Sequence, residues 1–250
     1  MIISHAHKVL FVPIPKCGST SILLFLLKLH GIESAGNPRK FLQENADLCR
    51  DKGLAIVLPS EIEGRQYQSV LHSYYWFSVI RDPYSRILSN YHNKLNRFAS
   101  RFDRRAYYSG KALQLLKGPM GWGDANCASQ SMQRFISFEQ FVHRLRDVGV
   151  EFDTHYRPQY QFLHPSVDRF DQLIPLERLD EGLASLREQC FGSDSTSDSP
   201  TTSPTKACRK PPTANASSSG ASAEEMMTPK AKNIIRTLYE KDFQYLRYAS

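Results

Sequence analysis

Val9-Leu10-Phe11-Val12-Pro13-Ile14-Pro15-Lys16-Cys17-Gly18-Ser19-Thr20-Ser21 is an apolar run that breaks into a small, polar turn containing one glycine. Residues 9–14 are short, continuously hydrophobic and ended by Pro15, the pattern of a strand buried on both faces. Residues 20–30 follow as a predicted helix, apolar nearly all round and stopped by Gly31. A buried strand, a tight turn and a helix in immediate succession read as the first unit of an α/β sheet.

The same alternation continues outward. Residues 76–80 predict a second buried strand, after which Asp82 and Pro83 stand at cap and first-turn positions of a helix running to about Leu95. Ser137 and Gln140 form a capping box for a helix through Val148, closed by Gly149. Residues 173–176 predict a third strand, followed by a helix with Leu179, Leu183 and Leu186 on one face. Thr228 and Pro229 open a last helix whose stripe is Ile234, Ile235, Leu238 and Tyr239, and which is expected to dock back on the body. Strands alternating with helices predict an α/β fold with a three-layer, parallel sheet. Between Gly192 and Glu225 there is no Val, Leu, Ile, Phe, Tyr or Trp. That stretch cannot offset its own ordering entropy by burial, so residues 193–223 are expected to be a flexible, disordered Ser/Thr-rich insertion within one domain spanning 1–250.

The chain has 250 residues, 41% of them hydrophobic, enough for an ordinary folded domain and too apolar for a wholly disordered one. Its formal charge of +7 favours anionic ligands without separating nucleic acid from nucleotide. No apolar run approaches the roughly 20 residues that cross a bilayer, since the stretch from Ile22 to Leu27 is closed by Lys28. The start of the chain does not read as a signal peptide, and the five cysteines, at 17, 49, 127, 190 and 208, show neither a Cys-x-x-Cys pair nor zinc spacing. A reduced compartment with free thiols and no structural metal is expected.

The turn carries the chemistry. Gly18 lets the backbone turn tightly toward a ligand, N–H groups at a helix start face an anion, and Lys16 with the hydroxyls of Ser19, Thr20 and Ser21 adds charge and donors. It is not a Walker A loop, because the lysine precedes the glycine. An ordinary Ser/Thr-rich cap is the alternative reading of the same residues. Val79-Ile80-Arg81-Asp82-Pro83 places Arg81 at the carboxyl end of a buried strand, where ligands bind in open α/β sheets, with Ser89 two turns along the next helix. Arg81 and Ser89 are candidates for a second phosphate clasp; an Arg81–carboxylate pair and a surface Ser89 are the alternative.

Pro15 through Ser21, together with Val79-Ile80-Arg81-Asp82-Pro83-Tyr84-Ser85-Arg86-Ile87-Leu88-Ser89-Asn90-Tyr91, resembles the two nucleotide-binding motifs of carbohydrate-type sulfotransferases, the sulfotransferase family 2-like proteins. Three later segments resemble that family in the expected order: His155-Tyr156-Arg157-Pro158-Gln159, Phe170-Asp171 through Leu179, and Tyr239 through Tyr248. The resemblance implies a P-loop-like sulfotransferase fold and a cosubstrate, 3′-phosphoadenosine-5′-phosphosulfate (PAPS). It assigns Lys16, Cys17, Gly18, Ser19, Thr20 and Ser21 to the 5′-phosphosulfate and Arg81 and Ser89 to the 3′-phosphate. The implied reaction moves a sulfuryl group to a hydroxyl or amine of an acceptor, expected to be a carbohydrate. The chain departs from secretory-pathway members in lacking an N-terminal anchor and cysteines after the His-x-Arg-Pro segment. That favours a cytoplasmic location over a membrane-associated or Golgi-lumenal one, with peripheral membrane contact left open.

Sulfuryl transfer needs in-line attack, a group to take the acceptor's proton and positive donors at the leaving phosphate. Lys16 is the candidate for the leaving-group side. No paired carboxylates at metal spacing accompany the loop, so a metal-free reaction is expected. His155 is the first candidate base and His72 the second, with Glu177 also in play; each histidine has an equally ordinary reading as a structural residue. Arg157, held extended by Pro158, is a candidate for an anionic acceptor. Cys17 reads as a small lining residue rather than a nucleophile. Arg97, Arg101, Arg104 and Arg105, interleaved with Phe98, Phe102, Tyr107 and Tyr108, form either a glycan-binding surface or a solvated helix face. The 118–123 loop with Trp122 is either an acceptor cover or a connector. A P-loop-like kinase using ATP and Mg²⁺, or a non-catalytic nucleotide-binding relative, is the second function class; a nucleic-acid-binding module comes third, since no recognised nucleic-acid motif occurs. Oligomeric state is not legible.

Overall fold

The computed structural model describes residues 1–34, 36–58, 61, 72–92, 137–191 and 223–248. In chain order the elements are β1 (Ile2–Ser4), β2 (Val9–Val12), α1 (Ser19–Leu29), α2 (Pro38–Glu44), α3 (Ala46–Asp51), β3 (Leu54–Ile56) and β4 (Tyr75–Ile80). There follow α4 (Pro83–Tyr91), α5 (Phe138–Val148), β5 (Gln172–Pro175) and α6 (Leu179–Cys190). The chain ends on α7 (Ala223–Met226), α8 (Pro229–Leu238) and α9 (Glu240–Tyr245). They divide into two compact units, one built from Met1–Arg81 and Phe162–Ala214, the other from Asp82–Gln161 and Asn215–Ser250.

The first unit is a mixed α/β sheet in the order β3-β1-β2-β4-β5. β2, β4 and β5 pair in parallel, as the alternating sequence predicts, with Phe11 opposite Phe77 and Val79 opposite Ile174. β1 pairs antiparallel with both β2 and β3, so the sheet is mostly but not wholly parallel, a correction to the expected parallel sheet. The reason is the short connection: four residues, His5 to Lys8, join β1 to β2, which is enough for a hairpin and far too few for a parallel crossover. Lys8 takes a positive φ of 52° within that turn. The hairpin is braced from outside, because the buried ring of His30 bonds the Lys52 carbonyl at 2.7 Å and Ser4 Oγ at 2.8 Å.

Every residue of β2 and all but the first of β4 are buried, which explains their predominantly apolar sequence. Phe11 and Phe77 stack with centroids 5.1 Å apart, and full burial of each ring stabilises by roughly 2–3 kcal/mol. Ser78 is the polar exception in β4; its hydroxyl donates to the Val12 carbonyl at 2.7 Å. β5 is tied on by Asp171, which accepts from the Trp76 N–H at 2.7 Å while its own N–H donates to the Trp76 carbonyl at 2.9 Å. α6 lies tight on β5 at Gly182, where a Cβ would meet Ile174 Cγ2 at 2.2 Å.

The second unit is helical. α5 carries the capping box expected at Ser137 and Gln140, with both reciprocal hydrogen bonds present, and ends at Gly149. Thr228 caps α8 through the Ala231 N–H and donates its hydroxyl to Glu139 at 2.8 Å, linking the starts of α8 and α5. Phe138, Phe141, Val142 and Leu145 of α5 meet Ala231, Ile234 and Ile235 of α8 with Ile87 and Leu88 of α4 in one apolar cluster. Asp82 caps α4 as expected, accepting from the Ser85 N–H at 2.8 Å.

Candidate active site

At the carboxyl end of β2 the chain enters α1 through Lys16, Cys17 and Gly18. Lys16 and Gly18 both take left-handed backbone, with φ of 69° and 72°. Glycine does so freely, whereas for a lysine the conformation costs about 1–2 kcal/mol and is held by its surroundings. Cys17, between them, is fully buried; its N–H donates to the Ile14 carbonyl at 3.3 Å and its Sγ to that of Pro15 at 3.7 Å. A Cβ on Gly18 would stand 2.7 Å from Leu176 Cδ1, so the turn excludes a side chain as well as requiring positive φ.

The hydroxyls do not cap α1. Gly18 is the N-cap residue and makes no side-chain cap, while α2, α4, α5 and α8 are each capped by a side chain. Ser19 Oγ donates back to the Ile14 carbonyl at 2.9 Å, bracing the loop. Thr20 is exposed and Ser21 half-buried. With Gly18 as N-cap, no cap side chain competes for the first N–H groups of α1 or for the helix's positive end, the arrangement that suits a phosphate.

Arg81 follows β4 directly and is half-buried, and its Nη1 donates to the Lys16 carbonyl at 3.3 Å. The parallel pairing of β2 with β4 accounts for this contact, since it puts their carboxyl ends side by side. Leu176 and the exposed Glu177 come from the turn after β5, whose carboxyl end shares the same sheet edge. His72 precedes β4 and is exposed. The length of β4, roughly 20 Å for its six residues, separates His72 from the loop.

In the second unit, residues 155–160 are anchored by side chains rather than by regular structure. Arg86 is fully buried and donates to the Arg157 carbonyl at 2.8 Å and the His155 carbonyl at 3.3 Å. Asn90, one turn along α4 and also buried, donates to the His155 carbonyl at 2.8 Å. The Tyr239 hydroxyl donates to the Tyr156 carbonyl at 2.6 Å. Asp242 accepts the N–H groups of Gln159 and Tyr160 at 2.8 and 2.9 Å. Burial pushes the Asp242 carboxyl above the ordinary carboxylate range, against the pull of those two N–H groups and of the Arg86 charge. Burial likewise raises the Tyr239 phenol, which stays protonated and able to donate. His155 Nδ1 lies 2.8 Å from Asp153 Oδ1, which also accepts the His155 backbone N–H at 2.9 Å. Arg157 makes an ion pair with Glu151 at 3.2 Å, and the aligned hydrogen bond to that carboxylate comes from Gln161.

A model of the sulfotransferase family matches residues 1–249. The chain belongs to the sulfotransferase family. Among curated relatives it is similar to carbohydrate sulfotransferase 14 of Mus musculus, with 26% identity over 181 residues, covering 72% of this chain and 43% of the relative. Carbohydrate sulfotransferase 11 of Rattus norvegicus is 23% identical over 189 residues, covering 72% of this chain and 50% of the relative. The chain thus spans about half the length of these relatives or less. No solved structure matches it.

Within this chain, the structure gathers Lys16 through Ser21 with Arg81 at the carboxyl ends of β2 and β4. It leaves His72 at the opposite end of β4, and it puts Ser89 half-buried on α4 and His155 and Arg157 in the anchored segment of the second unit. Arg97, Arg101, Arg104 and Arg105, the loop with Trp122, and the insertion apart from Ala223 lie outside the described residues, as do Cys127 and Cys208. Cys17, Cys49 and Cys190 are free thiols, and burial pushes Cys190 up to about 11, far from thiolate chemistry at neutral pH. Among the described residues no helix is long and apolar enough to cross a membrane, and no group of three His, Cys, Asp or Glu gathers as for a metal. Sequence reading missed Asp153, Arg86, Asn90, Tyr239 and Asp242 as a set. The available signal was Arg86 and Asn90, spaced i, i+4 on the same helix face and flanking the apolar Ile87 and Leu88.

Proposed function

We propose that this chain binds PAPS at the β2–α1 loop and transfers its sulfuryl group to a hydroxyl or amine of an acceptor, on a carbohydrate. The observation that carries this is the Arg81 guanidinium bonded to the Lys16 carbonyl beside an α1 start that no side chain caps. A backbone turn that only Gly18 permits, a lysine held at positive φ and an arginine fastened to the same loop form a cradle suited to an anionic group. The three-layer, P-loop-like arrangement belongs to this reading, supported by β2 passing into α1 and by β4 lying adjacent and parallel to β2. The carbohydrate acceptor rests on the names of the relatives.

When bound, the cosubstrate supplies an activated sulfuryl group on a phosphate leaving group. Lys16 and the first N–H groups of α1 hold the 5′ side and neutralise charge growing on the leaving phosphate, with no need of a metal. Thr20 and Ser21 add hydroxyl donors, while Ser19 holds the loop's shape. Arg81, with Ser89, binds the 3′-phosphate. His155 takes the acceptor's proton, and Arg157 meets an anionic acceptor by exchanging its partner Glu151.

The test is thermal stability with 3′-phosphoadenosine-5′-phosphate, 5′-AMP and ATP, with and without Mg²⁺; a ligand at 100 times its Kd adds about 2.7 kcal/mol. A shift with the bisphosphate alone, independent of Mg²⁺ and lost in Lys16→Ala and Arg81→Ala, is expected. A shift with ATP and Mg²⁺ in its place would move the assignment to phosphoryl transfer.

A further inference from the structure

Arg86 stands on α4, five positions after Arg81, and its charge is directed into the protein interior. Its guanidinium is fully buried and spans two carbonyls, those of His155 and Arg157, while Asn90 takes a second bond to the His155 carbonyl. Two buried side chains one turn apart on α4 thereby fix the backbone on either side of Tyr156. The ring of His155 is fixed separately: Asp153 Oδ1 lies 2.8 Å from Nδ1 and also holds the backbone N–H of the same residue. Side-chain exposure is 36% for His155 and 15% for Asp153, so the imidazole reaches solvent while its carboxylate partner is largely covered.

We infer that Asp153 and Arg86 are positioning residues for His155, Arg86 fixing its backbone and Asp153 its ring, so that the proton sits on Nδ1 and Nε2 is the atom that accepts the acceptor's proton. The inference rests on the reading of His155 as the base. A neutral imidazole carries one N–H, and a carboxylate is an acceptor only, so the Asp153 contact selects the tautomer with hydrogen on Nδ1 and the lone pair on Nε2. In the transfer step the acceptor O–H bond breaks as its oxygen bonds to sulfur. The proton passes to His155 Nε2, the leaving phosphate departs with the electron pair of its bond to sulfur, and the carboxylate stabilises the imidazolium without itself taking the proton. The second arginine of the Arg81-to-Arg86 stretch is thus not a phosphate ligand but the brace of the segment that carries the base.

The decisive readout is the tautomer of His155, from ¹⁵N shifts of ring-labelled full-length protein at pH 8, assigned by the resonance lost in His155→Gln. Hydrogen on Nδ1 in the wild type, a tautomer change in Asp153→Ala and about a tenfold or greater fall in kcat with the donor KM unchanged are expected. Asp153→Asn keeps an amide oxygen as acceptor and is expected to retain the tautomer and recover part of kcat. Hydrogen on Nε2 in the wild type overturns the inference, as does an Asp153→Ala protein with unchanged tautomer and kcat. Full turnover in His155→Gln overturns the base reading itself, and the inference with it. Arg86→Lys, which cannot span both carbonyls, is expected to shift the His155 backbone amide resonance and lower kcat; an unmoved resonance would remove Arg86 from the role.

Discussion

The loop 15–21 and the segment 155–160 are both irregular stretches, and they are held in opposite ways. The loop is shaped largely from within, by two left-handed residues, a buried Cys17, and hydrogen bonds from Cys17 and Ser19 back to Ile14, with Arg81 added at the Lys16 carbonyl. The segment has local bonds too, from the His155 and Tyr156 N–H groups to Asp153, but most of its anchoring is long-range. The carbonyls of His155, Tyr156 and Arg157 and the N–H groups of Gln159 and Tyr160 are satisfied by Arg86, Asn90, Tyr239 and Asp242, from 65 to 83 positions away in sequence. Buried backbone groups must find partners, and where helix or sheet does not supply them, buried side chains must. A loop of the first kind tolerates change around it but not within it. A segment of the second kind fails when distant residues change.

Arg86→Met should show the largest effect. Removing the buried guanidinium leaves two carbonyls and Asp242 without their positive partner, at a cost of about 3–5 kcal/mol in chemical denaturation. A loss below about 1 kcal/mol would mean that the segment is held by something other than these bonds.

Gly18→Ala comes next, at about 2–3 kcal/mol with loss of bisphosphate binding, because the new methyl meets Leu176 and the φ of 72° becomes strained. Adding Leu176→Ala should relieve the clash and leave the backbone cost. If the double variant binds nucleotide like the wild type, the clash alone mattered and the left-handed turn is not the essential feature.

The smallest effect is one of pH. Burial raises the Asp242 carboxyl, so its contribution to stability is fully present below its unfolded value and is lost as pH rises through the higher folded one. Asp242→Asn removes one good acceptor and should cost about 1–2 kcal/mol. That cost should be larger at pH 4 than at pH 7 when melts of the two proteins are compared. The reverse order would show that the two N–H bonds and Arg86 outweigh burial.

Much of the first unit could be read from residues alone. Strands β2, β4 and β5 announce themselves as short, predominantly apolar runs, and the caps at Asp82, Ser137 and Thr228 are where their residue types put them. β1 and β3 were missed because three residues carry no periodicity, and their pairing depends on neighbours rather than on their own composition. The short helices α2 and α3 went unread for the same reason, despite the Asn37 cap.

The phosphate-cradle residues were legible because their chemistry is local: a glycine, a lysine and a helix start must be consecutive to act together. Sequence by itself thus determined the alternation of strand and helix, the loop at Lys16 to Ser21, and Arg81 at a strand's end. Only the tertiary structure decided that β1 runs against the sheet, that His72 lies at the end of β4 away from the loop, and that Ser19 braces the loop instead of capping α1. It also decided that Arg86 is an interior clamp and that Asp153 holds the ring of His155. The physical reason is one of range. Backbone propensity and helix capping act over a few residues, whereas a buried charge finds its partners across the folded chain, and which carbonyls it reaches is set by packing.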